Sequence, residues 1–236
     1  MIVVLAHAGD ADARRLAASW PRGEAVLLTP LDLTRPGWIV AHPGAPGSFV
    51  AQGRRRATAA VRGAVVRLGT VDADELTPVV EADRAYAAAE VTALLAFWLR
   101  TLPRGPVNEP SPACLAGPAW SAVEWLTRAA RAGLATGAIE VTVGASPVPP
   151  DGPAGRGSGG TRVRVTVVGE RVLDSPAPEV LDGPLLALAR TAGVGLMGAD
   201  VAAAGGAWRL ESVSLCPRLD RPAHREALAD LLARRR

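Results

Sequence analysis

The sequence predicts an α/β protein, with a small open α/β sheet at the N-terminus joined to a second sheet with helices at the C-terminus. Three observations carry this expectation. Short β-rich apolar runs, beginning with Ile2 to His7, alternate with helical segments early in the chain. A long apolar helical pattern covers Glu81 to Leu102. From Arg162 onward, strand, turn, strand, helix, paired strands and a closing helix follow one another with short connections.

Taken in order, Asp10 stands where an N-cap is needed for a helix over Ala11 to Trp20. Ala25 to Thr29 and Trp38 to His42 read as strands, each closed by Pro or Gly. Gly53 to Arg56 reads as a solvated hairpin rim rather than a nucleic-acid patch, because no aromatic residue interleaves with its arginines. Val61 to Leu68 follows as an alternating strand. In the long helix, Val91, Leu94, Leu95, Trp98 and Leu102 form one apolar stripe, and Tyr86, Ala89, Ala93 and Phe97 form a second. Two stripes predict a helix covered on more than one side, with Glu90 in an ion pair or on an exposed flank.

Ser121 to Ala132 carries a capping box, Ser121 with Glu124, and a stop at Gly133. Ile139 to Val143 reads as a strand, and the Gly/Pro-rich stretch Gly144 to Gly160 as a flexible connector. Arg162 to Val168 alternates basic and apolar residues, and Gly169-Glu170 turns the chain into Arg171 to Leu173. Leu181 to Ala192 is a helix ending at Gly193, Gly195 to Val201 and Ala207 to Ser214 are adjacent strands, and Pro222 to Arg235 is an amphipathic helix with Pro in its first turn.

Composition excludes several classes of function. The 236 residues are enough for a sizeable core. No apolar run reaches the ~20 residues that span a bilayer, and the N-terminus lacks a basic n-region and a cleavage site, so a cytoplasmic location without membrane contact is expected. Cys114 and Cys216, with His7, His42 and His224 scattered, offer neither a disulfide framework nor zinc spacing. All 26 basic residues are arginine, so no lysine can act as a Schiff base, a phosphate-loop cation or a general base. His7 ends the first strand beside Asp10, at a ligand-binding place in open α/β sheets, but no glycine fingerprint accompanies it. Ser121, Cys114 and Trp120 have no nearby base to complete a nucleophile set, and core filling is the expected use of most of the six tryptophans.

The motifs Arg164-Val165-Thr166-Val167-Val168-Gly169, the helix Leu181 to Ala192, Gly198-Ala199-Asp200 and Trp208-Arg209-Leu210-Glu211 come in the order and spacing of the C-terminal core of ATP-grasp ligases. From Thr161 onward the chain resembles that family. The first half is similar to the pre-ATP-grasp domain, and Pro106-Val107-Asn108-Glu109-Pro110 resembles the joining segment of peptide-modifying members, which often read N-R-P. The resemblance implies a domain plan of 1–105 pre-ATP-grasp-like, 106–136 joining segment and helix, 137–160 connector in place of the ATP-binding lid, and 161–236 ATP-grasp-like core.

By the same resemblance, Asp200 and Glu211 stand where two metal-ligating carboxylates are found, and Arg164 where a cation meets the nucleotide. Departures from the family pattern accompany these matches. Val213 replaces an Asn ligand, Glu109 replaces a cation, and the lid subdomain with its lysines is missing. Gly155-Arg156-Gly157-Ser158-Gly159-Gly160 is no phosphate loop, because it precedes a strand instead of opening a helix.

Asp200 and Glu211 are then either a residual metal site or relics tied up by Arg164 or Arg209. The expected role is a non-catalytic, degenerate ATP-grasp-like binding or partner subunit of a biosynthetic pathway. Its partners would be a second copy, a complete ATP-grasp ligase, and a peptide or small-molecule carboxylate. The competing expectation is an active carboxylate–amine ligase completed by oligomerisation, and only that reading calls for Mg and ATP. A sheet face left bare by the missing lid is the expected dimer surface.

Overall fold

The chain opens with β1 (Ile2–Leu5), whose four side chains are all buried. In the computed structural model, which describes residues 1–42, 45–137 and 161–234, α1 (Ala11–Ala18), β2 (Ala25–Leu28), α2 (Pro30–Leu33), β3 (Ser48–Ala51), β4 (Arg54–Ala57) and β5 (Gly63–Val66) follow. Asp10 caps α1 by accepting the Ala13 N–H at 2.9 Å. Strands β2, β1 and β5 make a parallel sheet in that order, with β1 in the middle. A separate hairpin joins β3 and β4. Its two-residue turn holds Gln52 and Gly53 at φ 52° and 70°, the left-handed pair that matches strand twist.

Two expectations here need correction. Trp38 to His42 is no strand: it touches β3 through a single antiparallel bridge, Ile39 to Ser48, because Gly37 at φ 115° bends the chain into it. The strand at Val61 to Leu68 shortens to β5 and does not alternate. All four of its residues are buried, because core lies on both faces and Val107 N–H caps its outer edge at Ala64.

Next come α3 (Arg84–Thr101), entered through a short 3-10 turn at Glu81–Asp83, and α4 (Ala122–Arg131), whose Ser121/Glu124 capping box forms as expected. Helix α3 buries Ala88, Leu95, Trp98 and Leu99 against the parallel sheet, where Trp98 packs with Trp38 and Phe49. Its second stripe is not covered: Tyr86 is 71% exposed and Phe97 50%. Apolar residues on that side therefore face solvent in the single chain.

The predicted strand Ile139 to Val143, the connector and the glycine-rich stretch 155–160 lie outside the described residues. Beyond them, β6 (Arg162–Val168), β7 (Arg171–Leu173), α5 (Pro178–Ala192), β8 (Leu196–Ala204), β9 (Ala207–Ser214) and α6 (Pro222–Arg234) complete the chain. Gly193 ends α5 in the left-handed conformation at φ 64°. The second sheet is antiparallel, in the order β7-β6-β8-β9. One face carries Val165, Val167, Met197, Ala199, Val201 and Leu210 against α4 and α5.

Helix α6 packs between the two sheets. Leu228 and Leu232 share a core with Val4 and Val65 of the first sheet and with Val168 and Leu196 of the second. The approach is close enough that a side chain at Gly63 would meet Leu232 at 2.6 Å. Among the described residues, no helix is long and apolar enough to cross a membrane.

The joining segment is held by one side chain. Asn108 is 3% exposed. Its amide donates to the Ala116 and Leu196 carbonyls at 3.0 and 2.8 Å, and its oxygen accepts the Gly195 and Leu196 N–H groups, both at 2.9 Å. Every strong position of the carboxamide is used. Truncation would leave buried backbone groups unpaired at about 1–3 kcal/mol each. Asn108→Ala should therefore lower unfolding stability by about 3 kcal/mol or more, read from urea midpoints at neutral pH.

Candidate functional site

The residues singled out by the sequence meet on the second face of the C-terminal sheet. Alternation along β6 sends Val163, Val165 and Val167 into the core and leaves Arg162, Arg164 and Thr166 on the opposite face. The ladder sets Arg164 opposite Asp200, and Asp200 opposite Ser212. The three side chains join in one row across three strands. Arg164 donates from Nε to Asp200 Oδ1 at 2.7 Å and from its terminal nitrogen to Oδ2 at 3.0 Å, and the Ser212 hydroxyl donates to Oδ2 at 2.9 Å. This is a two-pronged guanidinium–carboxylate pair.

The second carboxylate reaches the face by a different device. The register of β8 and β9 slips between Asp200 and Val201, so Ser212 opposes Asp200, Leu210 opposes Val201, and Glu211 is the extra residue of a bulge. Its carboxylate lies 2.5 Å from Arg162 Nε, two strands away. Between them, Ala202 on β8 faces Arg162 with only a methyl group. Glu211 thus pairs with Arg162, and not with Arg209 as anticipated. Val213 turns to the other face, opposite Ala199 and against the core.

Charge on this face is balanced within the chain. The Arg164 hydrogen bond holds the Asp200 carboxyl below the ordinary carboxylate range, with Ser212 assisting against the burial that opposes it. Glu211 raises the Arg162 guanidinium above its ordinary value. Each acid carries a guanidinium where a divalent cation would need open oxygens. Among the described residues, no group of three His, Cys, Asp or Glu side chains is placed to hold a metal ion.

A cavity of about 500 Å³ runs from this row toward α6, lined by Arg162, Arg164, Thr166, Arg218, Arg221 and His224 among others. Asp174, the residue after β7 and at a left-handed φ of 60°, accepts from Arg221 at 2.5 Å and sits 2.6 Å from His224 Nε2. Sequence reading missed this trio. Asp174 and His224 lie 50 residues apart, and no short motif links them.

The N-terminal candidates stand apart from this face. His7 Nδ1 lies 2.7 Å from Glu75, which also accepts the Ala8 N–H. Asp10 accepts from Arg67, whose other nitrogens reach Pro217 and Asp12. Burial alone would raise the Asp10 carboxyl, but hydrogen bonds from Arg67 and Ala13 outweigh it and hold the pKa low. Burial pushes the Cys216 thiol up to about 11, which leaves it protonated and unreactive at neutral pH. Trp120 stacks edge-on with Trp125 and lies under Arg128, 4.0 Å from its ring centre.

No family model and no curated protein matches the sequence. Solved structures match along the whole chain. The macrocyclase MdnC of Microcystis aeruginosa MRC, bound with precursor peptide MdnA, aligns over 98% of this chain and 99% of its own, with a TM-score of 0.70 and 12% identity. The fold is ATP-grasp-like. The Chryseobacterium gregarium RiPP-associated ATP-grasp ligase, in complex with ADP and a leader and core peptide, aligns over 98% and 96% with a TM-score of 0.67 and 12% identity. The macrocyclase MdnB of Microcystis aeruginosa MRC aligns over 99% of both chains, with a TM-score of 0.64 and 17% identity. At these identities the likeness is one of fold. Within that fold, β6, α5, β8 and β9 supply the strand–helix–strand–strand order that the C-terminal motifs suggested.

The ion pairs have a pH signature. Asp10 and Asp200 both have folded pKa values below the unfolded value of about 3.9. Their contribution is complete above that value and lost as pH falls through the depressed folded values. Urea midpoints should be level in this respect from about pH 5 upward and drop below about pH 4. Asp200→Asn should cost roughly 0.5–1 kcal/mol at pH 7 and make the acid branch shallower.

Proposed function

We propose that this chain is a non-catalytic, ATP-grasp-like partner subunit in the biosynthesis of a ribosomally made, modified peptide. It would present a peptide or pair with a complete carboxylate–amine ligase, and would not ligate by itself. The observation that carries this reading is the pairing of Asp200 with Arg164 and of Glu211 with Arg162. Polyanionic ATP with Mg needs carboxylates free for the metal and cations free for the phosphates. Here each neutralises the other. Two further facts support the reading: the chain has no lysine, and only residues 132–161 separate α4 from β6. The peptide side rests on the neighbours, of which MdnC is bound with a precursor peptide and the Chryseobacterium ligase with a leader and core peptide.

Thermal unfolding with millimolar ATP and Mg tests the first half, since a ligand of the folded state raises Tm by mass action. No shift is expected. A rise in Tm that Asp200→Asn abolishes would overturn this half of the proposal and leave the active-ligase alternative standing.

The proposed second copy docks elsewhere than on the sheet face, which carries Arg162, Arg164, Asp200 and Glu211 and is charged. The apolar candidate is the exposed stripe of α3, with Tyr86, Leu94 and Phe97 spaced by alanines. Antiparallel pairing about a two-fold axis sets Tyr86 against the partner's Phe97. It also brings the acidic entry of the helix, Glu81 and Asp83, to the basic exit at the partner's Arg100 and the partner's Arg104, so charge and apolar pattern agree. Light scattering at micromolar concentration should give a dimer, and Phe97→Glu a folded monomer. A monomeric wild type would remove this part of the proposal.

A further inference from the structure

A second cleft is lined by residues of the N-terminal half alone. It measures about 900 Å³ and runs between the end of α1, the edge of the parallel sheet and the β3–β4 hairpin. Arg14, Arg22, Arg54 and Arg56 line it, and no acidic side chain does. Among the described residues, Arg22, Arg54 and Arg56 form no ion pair. The nearest turn acid, Glu24, sits outside the lining and faces Arg62 at 3.7 Å. The Nε of Arg56 is buried without a hydrogen-bond partner. A buried guanidinium nitrogen without an acceptor is costly, so it marks a place where one belongs. Arg67, Arg162, Arg164 and Arg221 elsewhere in the chain each meet a carboxylate, and these four do not.

The wall of the cleft selects the shape of the ligand. Strand β2 is the edge of its sheet. The Glu24 and Leu28 carbonyls accept from β1, at the Ile2 and Ala6 N–H groups. By the two-residue period of a strand, Ala25 and Leu27 point their backbone N–H and C=O outward. Ala25 and Leu27 are also the two β2 residues that line the cleft, and Trp20 and Ala17 add apolar surface beside them.

We infer that this cleft is a binding site for an extended acidic peptide segment, whose backbone pairs with the outer edge of β2 at Ala25 and Leu27 while its carboxylates meet Arg22, Arg54 and Arg56. Edge pairing supplies affinity without sequence choice, and the arginines supply the preference for acidic side chains. A free strand edge favours a peptide over a nucleic acid, which would use the arginines and leave the edge idle. The inference is independent of the non-catalytic reading. Nucleotide binding at the C-terminal sheet would defeat that reading and leave this cleft as it is.

The test uses the full chain and a fluorescein-labelled octapeptide of alternating Glu and Val, followed by anisotropy. Saturable binding is expected, weakening as salt rises from about 0.05 to about 0.5 M. Arg22→Ala with Arg54→Ala, both on exposed side chains, should weaken it at least about tenfold with Tm unchanged, since charge pairs lost at an interface cost on this scale. Arg56→Ala serves as a second variant. Hydrogen exchange should show the Ala25 and Leu27 amides protected only when peptide is present. The inference is overturned if the peptide does not saturate, if the variants bind as wild type does, if those two amides exchange unchanged, or if an oligothymidylate of equal charge binds more tightly.

Discussion

The architecture depends on Asn108, a single buried carboxamide that joins two sheets formed by residues far apart in the chain. Its four hydrogen bonds tie the joining segment to itself at Ala116 and to the start of β8 at Gly195 and Leu196. Two of those partners are the backbone N–H groups where β8 begins. The carboxamide thereby fixes the joining segment against the start of β8. Helix α6 adds the apolar half of the same joint, because Leu228 and Leu232 fill the space between the sheets. Polar groups set the alignment, and buried area supplies most of the stabilisation.

Once β8 is aligned, the polar row on the C-terminal sheet is a matter of register. Asp200 falls between Arg164 and Ser212, and the bulge in β9 turns Glu211 toward Arg162. The sheet sets a guanidinium group beside each of these two carboxylates. A guanidinium neutralises a carboxylate in one fixed plane and cannot be displaced by a phosphate without leaving that carboxylate unpaired.

The distribution of arginine separates two kinds of surface. On the C-terminal face, Arg162, Arg164 and Arg221 each meet an acid of the same chain. Along β2 and the hairpin, Arg22, Arg54 and Arg56 meet none among the described residues, and the strand edge beside them is open. The first surface is closed by its own ion pairs, and the second is arranged to receive charge from outside. The exposed stripe of α3 is a third kind, apolar and bounded by opposite charges at its two ends.

What the sequence determined by itself was local. Asp10 before α1, Ser121 with Glu124 at α4 and Gly193 after α5 act within a few residues of their own position, so chain order suffices to read them. The order of elements from β6 to α6 was legible for the same reason, and with it the ATP-grasp-like character of the C-terminal half. Tertiary structure alone decided which stripe of α3 is buried, since periodicity marks both as apolar and only the parallel sheet chooses between them. It also decided that Trp38 to His42 forms one bridge, that Glu211 joins Arg162, and that Arg22 and Arg54 share a cleft. Each of these turns on partners well separated in the chain, from Ile39 with Ser48 to Leu95 with Val3. Periodicity and capping report on a residue's immediate neighbours, whereas register, bulges and clefts depend on where distant segments of backbone come to rest.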